Sequence, residues 1–267
     1  MKWQGKRCVV TGASSGFGVE IAKLLAGKGA EVIAVARRRE RLEALVEELG
    51  GEPHSFEVCD ISSLEEIRKL ASILADKFPH IDVLINNAGI PGSGPFGEAS
   101  SEEIERVIKT NLLGPMLTTR ELLHLVEAAP KAERTPVVVN VSSIAGRVPT
   151  PRLADYAASK FGLVGFTEAA WHDLKPRGIR SMVVNPGLAD TEGFPMDRIR
   201  KNPLVAWTVM DASRVAKALI GGIERGSFEV RVQWWMHPLY HVTVALGPLR
   251  RLVSGALQDT IDDAGKR

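Results

Sequence analysis

The chain has 267 residues, 45% hydrophobic and 25% charged, the balance of an ordinary folded protein and not of a disordered or fibrous one. Its 34 basic and 32 acidic residues are spread along the sequence, and a net charge of +2 leaves no electrostatic footprint for nucleic acid. Two cysteines, Cys8 and Cys59, lie inside apolar runs, which points to buried thiols in a reducing compartment and away from a disulfide framework or a metal site.

The N-terminal stretch MKWQGKRCVVTG lacks a basic region followed by a long apolar core, so no signal peptide is expected and the localisation is read as cytoplasmic. Its short apolar run, residues 7–11, serves as a first strand. A helical pattern follows at 18–29, then a strand at 31–36, a helix at 39–50, a strand at 54–58 and a helix at 63–78. The next strand is at 82–86, and one long helix is expected over 101–129. Strand 135–141, helix 154–175, strand 180–185, helix 212–226 and strand 228–232 complete the series. Alternation of this kind predicts an α/β fold, with helices covering both faces of a doubly wound parallel sheet. No linker or internal repeat interrupts it, so a single domain is expected over 1–232, with an apolar and basic extension at 233–267. Sheets of this type bind ligands at the carboxyl ends of their strands, where the strand order reverses.

The first such place is TGASSGFG, in which Gly12, Gly16 and Gly18 stand between a strand and a helix, with Ser14, Ser15 and Phe17 among them. Glycines permit a tight turn and close approach of backbone. The following helix offers free N–H groups and the positive end of its dipole to a pyrophosphate. At the end of the second strand Ala36 stands where NAD-preferring dinucleotide folds carry an acid, and Arg37 follows it. A guanidinium there clamps a 2′-phosphate bidentately, and the missing carboxylate removes repulsion, so NADP(H) is the favoured cofactor. Arg38 is left between that role and the start of a solvated helix, to which Arg39 and Arg41 are assigned.

With TGASSGFG, LINNAG, TNLLGP, NVSSIAG, DYAASKFG and NPGLADT in this order, the chain resembles the short-chain dehydrogenase/reductase family, in its shorter main branch, over about residues 5–232. The resemblance implies a Rossmann-like sheet of seven parallel strands. It also implies a catalytic set that falls here on Asn111, Ser143, Tyr156 and Lys160. It further assigns Asn87, Ala88 and Gly89 to the adenosine side, Asp60 and Ile61 to the adenine, and Pro186, Gly187 and Thr191 to the nicotinamide end. Tyr156 and Lys160 are also expected to touch the cofactor. No basic residue precedes Gly16, which leaves NADP(H) selectivity to Arg37 and Arg38.

The chemistry of these residue types fits the assignment. A free phenol has a pKa near ~10, and Lys160, one helical turn beyond Tyr156, supplies a positive charge that stabilises a phenolate. Tyr156 then gives a proton to a carbonyl oxygen in reduction, or takes one from an alcohol in oxidation, while the nicotinamide carries hydride. Ser143 holds and polarises the same oxygen. Asn111 sits in mid-helix beside Gly114 and Pro115, and Pro115 lacks the N–H that would bond back to residue 111. The resemblance gives the freed carbonyl a water that passes protons to Lys160.

Substrate recognition is expected from IPGSGPF, AGRVPTPRL and EGFPMDRIRKNPLVAW. Leu153, Phe194, Met196, Ile199 and Trp207 lend these segments an apolar cast that suits a lipophilic carbonyl or secondary alcohol, although each also suits a core. Arg147, Arg152, Arg198 and Arg200 either meet an acidic substrate group or, as the favoured account, are solvated. A sensor that binds NADP(H) without turnover is the alternative to an enzyme. A homodimer or homotetramer is expected. The extension 233–267 has no apolar stretch approaching the ~20 residues of a spanning helix, and its roles are a subunit contact or a peripheral membrane contact.

Overall fold

The computed structural model describes residues 2–131, 135–194 and 206–233. Among these described residues nine strands appear in chain order: β1 Arg7–Thr11, β2 Glu31–Ala36, β3 Ser55–Val58, β4 Val83–Asn86, β5 Val137–Val141, β6 Arg180–Asn185, β7 Ala189–Asp190, β8 Met210–Asp211 and β9 Glu229–Arg231. The helices are α1 Gly16–Gly27, α2 Arg39–Glu48, α3 Leu64–Lys77, α4 Ser101–Ile108, α5 Gly114–Glu127, α6 Ala154–Leu174 and α7 Ala212–Arg225. Seven strands form one sheet in the order β3-β2-β1-β4-β5-β6-β9, every pairing parallel. This is the doubly wound, Rossmann-like arrangement expected from the alternation of strands and helices.

β4 and β5 are buried at every position, which is why their sequences read as unbroken apolar runs. One core layer joins Ile21 and Leu25 of α1 and Leu219 and Ile223 of α7 to Val10, Val32 and Val139. The layer on the other face joins Ile67, Leu70 and Leu74 of α3 and Leu122 of α5 to Val9, Ile33, Leu84 and Val138. Between β4 and β5 the sheet carries a buried amide brace. Asn86 Nδ2 donates to Asn140 Oδ1 at 2.8 Å and to Thr119 Oγ1 at 2.9 Å, and Asn140 Nδ2 donates to Thr167 Oγ1 at 2.9 Å. The brace satisfies most of these polar groups and ties α5 and α6 to the sheet centre.

Two local features differ from the sequence expectation. The long helix expected over 101–129 is divided by a π-helical turn, Lys109–Leu113, between α4 and α5. Pro115 cannot donate to a carbonyl one turn back. Gly114 lies so close to Ile61 that a Cβ would come within 2.7 Å of its carbonyl oxygen, so the chain widens there. Strands β7 and β8 form a separate two-stranded parallel pair that the sequence pattern does not signal, because each is only two residues long. The extension from 234 onward, with its expected subunit or membrane contact, and the wall residues Met196, Ile199, Arg198 and Arg200 lie outside the described residues. Among the described residues no helix is long and apolar enough to cross a membrane, and no cluster of His, Cys, Asp or Glu could hold a metal ion.

Candidate active site

The strand order reverses at β1, whose neighbours are β2 and β4, and the turn following β1 forms the floor of a cleft at the carboxyl edge of the sheet. The cleft encloses about 1050 Å³ of free space, including the part open to solvent. Gly12 has φ +69°, and a Cβ on it would lie 2.7 Å from Ala88 Cα, so only glycine lets β1 and the turn after β4 meet this closely. Thr11 Oγ1 accepts from the backbone N–H of Asn87 at 3.0 Å and of Ala88 at 3.1 Å, and Asn87 Nδ2 returns a bond to Thr11 O at 2.9 Å. Helix α1 starts at Gly16 with Ser15 as N-cap, yet no side chain caps it and its first turn holds no acid. By contrast α3 is capped by Ser63 and α4 by a capping box built on Ser100 and Glu103.

Ser14, Ser15, Gly16, Phe17, Arg37, Arg38, Asp60, Ile61, Asn87, Ala88, Gly89, Tyr156, Lys160 and Thr191 join Gly12 along the cleft. Gly18, Asn111, Ser143, Pro186 and Gly187 are not among the residues that line it. The Gly18 position packs against the Gly12 carbonyl, the Pro186 carbonyl accepts from Ile144 N at 2.7 Å, and a Cβ on Gly187 would collide with Gln233.

The two arginines differ in what they touch. Arg38 Nη2 donates to Ser14 Oγ at 2.9 Å and Ser15 Oγ at 2.8 Å, and its Nε donates to Ser14 Oγ at 3.1 Å. A guanidinium thus reaches the glycine-rich turn from the connection after β2, although no basic residue immediately precedes Gly16 in the sequence. Arg37, on which the sequence reading places most weight, is 65% exposed, with Nη1 3.6 Å from Asp60 Oδ2. A dinucleotide phosphate fits this donor set: two serine hydroxyls, an uncapped helix start and a guanidinium face one cleft.

At the opposite end α6 brings Tyr156 and Lys160 to one face, both buried. Ser143 lies within reach of the Tyr156 phenol and favours its ionised form. Lys160 Nζ donates to Val141 O at 3.0 Å and lies 5.6 Å from the centre of the Tyr156 ring. Burial pushes the Tyr156 phenol up to about 12, against the lowering effect of Ser143, and burial pushes the Lys160 ammonium down to about 8. This corrects the expectation that Lys160 lowers the phenol. With both groups withdrawn from water, desolvation disfavours both charged forms, and Tyr156 is held as a neutral phenol.

Asn111 is fully buried, and its amide grips the backbone of Ile90 in both directions: Nδ2 donates to Ile90 O at 2.9 Å and Oδ1 accepts from Ile90 N at 2.8 Å. A Cβ on Gly89 would lie 3.3 Å from Asn111 Oδ1 and 3.5 Å from Lys160 Nζ, so Asn111 and Lys160 flank that glycine.

The family model for short chain dehydrogenase matches residues 6–200. The chain belongs to the short-chain dehydrogenase family. A putative ketoacyl reductase from Streptomyces coelicolor is 38% identical over 186 residues, covering 68% of this chain and 70% of that protein. The crystal structure of a single-substitution variant of actinorhodin polyketide ketoreductase with NADPH superposes with a TM-score of 0.72 at 32% identity, covering 85% of this chain and 95% of that one. A 3-ketoacyl-(acyl-carrier-protein) reductase from Brucella melitensis complexed with NADH gives 0.76 at 28% identity, over 86% and 97%. This short-chain dehydrogenase is accordingly an oxidoreductase with a nucleotide-binding Rossmann fold.

Several residues at the site of this short-chain dehydrogenase escape sequence reasoning. Asp155 Oδ2 accepts from Ser93 N at 3.0 Å and Ser93 Oγ at 2.6 Å, and its Oδ1 accepts from Tyr156 N at 2.7 Å, so one carboxylate joins the loop after β4 to the start of α6. The Phe194 ring, named from the sequence as a wall residue, lies 5.4 Å from that of Tyr156. Glu192 pairs with Arg38 at 2.8 Å and with Arg41. The partners of these carboxylates are far apart in sequence, and only the adjacency of Asp155 to Tyr156 could have drawn notice. Arg147 is not offered to a substrate: it bonds Glu168 at 2.5 Å and Glu229 at 3.1 Å. Arg152 is exposed with φ +62°.

Proposed function

We propose that this oxidoreductase prefers NADP(H) and interconverts a lipophilic ketone and its secondary alcohol. The observation that carries the reading is the buried Tyr156–Lys160 pair with half-buried Ser143 at one end of a cleft whose other end offers Arg38, Ser14 and Ser15. The nicotinamide, when bound, supplies or accepts hydride at the substrate carbon.

The neutral phenol of Tyr156 donates its proton to the carbonyl oxygen as negative charge develops there, and Ser143 polarises the same oxygen. Lys160 holds the cofactor ribose and, as a cation, replenishes the phenol's proton. Asn111 fixes Ile90 and the adjoining wall of the cleft. Adenosine binds along Asp60, Ile61, Asn87, Ala88 and Gly89, and the nicotinamide end lies towards Pro186, Gly187 and Thr191. Arg38, with Arg37 beside it, receives the 2′-phosphate, a bidentate role for which a guanidinium is shaped.

Phe194 against Tyr156, with Ile90 lining the cleft and Leu153 packed beside Gly92, supports a lipophilic substrate. The ketoacyl reductases among its relatives make a 3-oxoacyl thioester the first compound class to try. The test is a panel of 3-oxoacyl thioesters, ketones and secondary alcohols, followed by nicotinamide absorbance with both cofactors. Faster turnover of apolar ketones with NADPH supports the reading, and turnover confined to NADH or to polar polyols refutes it. We propose, further, that the segment after Val232 carries a contact of the homo-oligomer. Truncation there should lower the mass in sedimentation; an unchanged mass refutes that assignment, and flotation of the full chain with anionic liposomes supports a membrane contact instead.

A further inference from the structure

The four-residue turn 191–194 touches both ends of the cleft. Its backbone closes on itself, Phe194 N donating to Thr191 O at 3.0 Å. Thr191 packs at Gly16, where a Cβ would lie 3.3 Å from its side chain, and Phe194 rests on Tyr156. Glu192 points the other way. One of its carboxylate oxygens accepts from Arg38 Nη1 at 2.8 Å and the other from Arg41 Nη1.

With the bond to Glu192 every nitrogen of Arg38 is engaged, since its Nε and Nη2 already serve Ser14 and Ser15. A guanidinium has five N–H donors in a fixed fork, and Glu192 engages Nη1, the nitrogen turned away from Ser14 and Ser15. Both guanidiniums hold the Glu192 carboxyl below the usual carboxylate range, Arg41 first and Arg38 second. The carboxylate therefore stands, ionised, on donors that a phosphate dianion entering beside Ser14 and Ser15 would use.

We propose that Glu192 is a specificity-determining residue: an internal anion on Arg38 and Arg41 that a cofactor 2′-phosphate must displace, so that it weakens NADP(H) binding and leaves NAD(H) binding nearly untouched. This rests on the reading of Arg38 as the 2′-phosphate receptor. Ion pairs at exposed sites contribute little each, so displacing a carboxylate shared by two arginines should alter affinity by about fivefold.

The test compares wild type, Glu192→Gln and Arg38→Ala by titration with NADPH, NADH, adenosine 2′,5′-bisphosphate and AMP at low salt. Glu192→Gln should bind NADPH and the bisphosphate about fivefold more tightly, with NADH and AMP within about twofold, which also shows that the variant is folded. Arg38→Ala should weaken NADPH and the bisphosphate, and in the double variant the gain from Glu192→Gln should vanish. Unchanged or weaker NADPH binding by Glu192→Gln overturns the proposal, whatever the wild-type preference. A wild type that binds NADH as tightly as NADPH overturns the NADP(H) preference instead, and a fivefold gain in Glu192→Gln would still uphold the competition.

Discussion

Lys160 donates to the carbonyl oxygen of Val141 at 3.0 Å from a position 4% exposed, so a cation is kept in the protein interior on one neutral acceptor. Burial lowers its pKa from 10.5 to about 8. The unfolded chain therefore binds more protons than the folded one between those values, and this group makes stability rise with pH across that window. A variant without the titrating group, Lys160→Met, lacks the rise. Between pH 7 and pH 10 the wild type should gain about 2 to 3 kcal/mol relative to Lys160→Met in urea denaturation. A difference between the two that stays constant with pH would show that Lys160 titrates normally.

Arg38 and Arg37 make separable predictions about the cofactor. Arg38 lies on Ser14 and Ser15, whereas Arg37 projects to solvent beside Asp60. Wild type should favour NADPH over NADH by about tenfold or more, a difference of roughly 1.4 kcal/mol. Arg38→Ala should remove most of that ratio in kcat/KM and Arg37→Ala a smaller part. Equal ratios in wild type and Arg38→Ala would remove Arg38 from the assignment.

Asp155 clamps the loop after β4 through three hydrogen bonds, two of them to Ser93. Asp155→Ala leaves the buried Tyr156 N–H and two part-buried Ser93 donors without this acceptor and should cost about 1 to 3 kcal/mol of stability. Substrate KM should rise more than NADPH KM, because the loop borders the substrate side. Asp155→Asn, which keeps an acceptor oxygen, should recover part of both losses. If Asp155→Ala matches wild type in melting temperature and KM, the clamp is not structural.

Much of the fold is legible in the sequence because the strands are short, apolar and punctuated by helices with a repeating apolar face. β1, β2 and β6 lie at the residues that the pattern marks. The π-helical turn at Asn111 is partly legible: Pro115 announces a missing hydrogen bond, but the approach of Gly114 to Ile61 is a tertiary event. The glycine turn and the Tyr156 to Lys160 spacing identify the cleft because their geometry is local. The division of labour between Arg37 and Arg38 is not local, since it depends on which side chain reaches Ser14 from another strand. Glu192 and Asp155 are invisible for the same reason. The direction of the Tyr156 shift is missed because spacing reports a nearby charge and says nothing of how deeply both groups are buried.

On the proposed reading the Tyr156 phenol, neutral and beside Ser143, moves the proton in a nicotinamide-dependent carbonyl reduction. Single-turnover reduction of an apolar ketone by NADPH, measured with wild type and Tyr156→Phe, tests it most directly. The phenylalanine keeps the ring that packs on Phe194 and removes only the hydroxyl. The account predicts a loss of hydride transfer of about 100-fold or more, the range of general acid catalysis, with NADPH affinity within about threefold of wild type. Hydride transfer at the wild-type rate in Tyr156→Phe would contradict it.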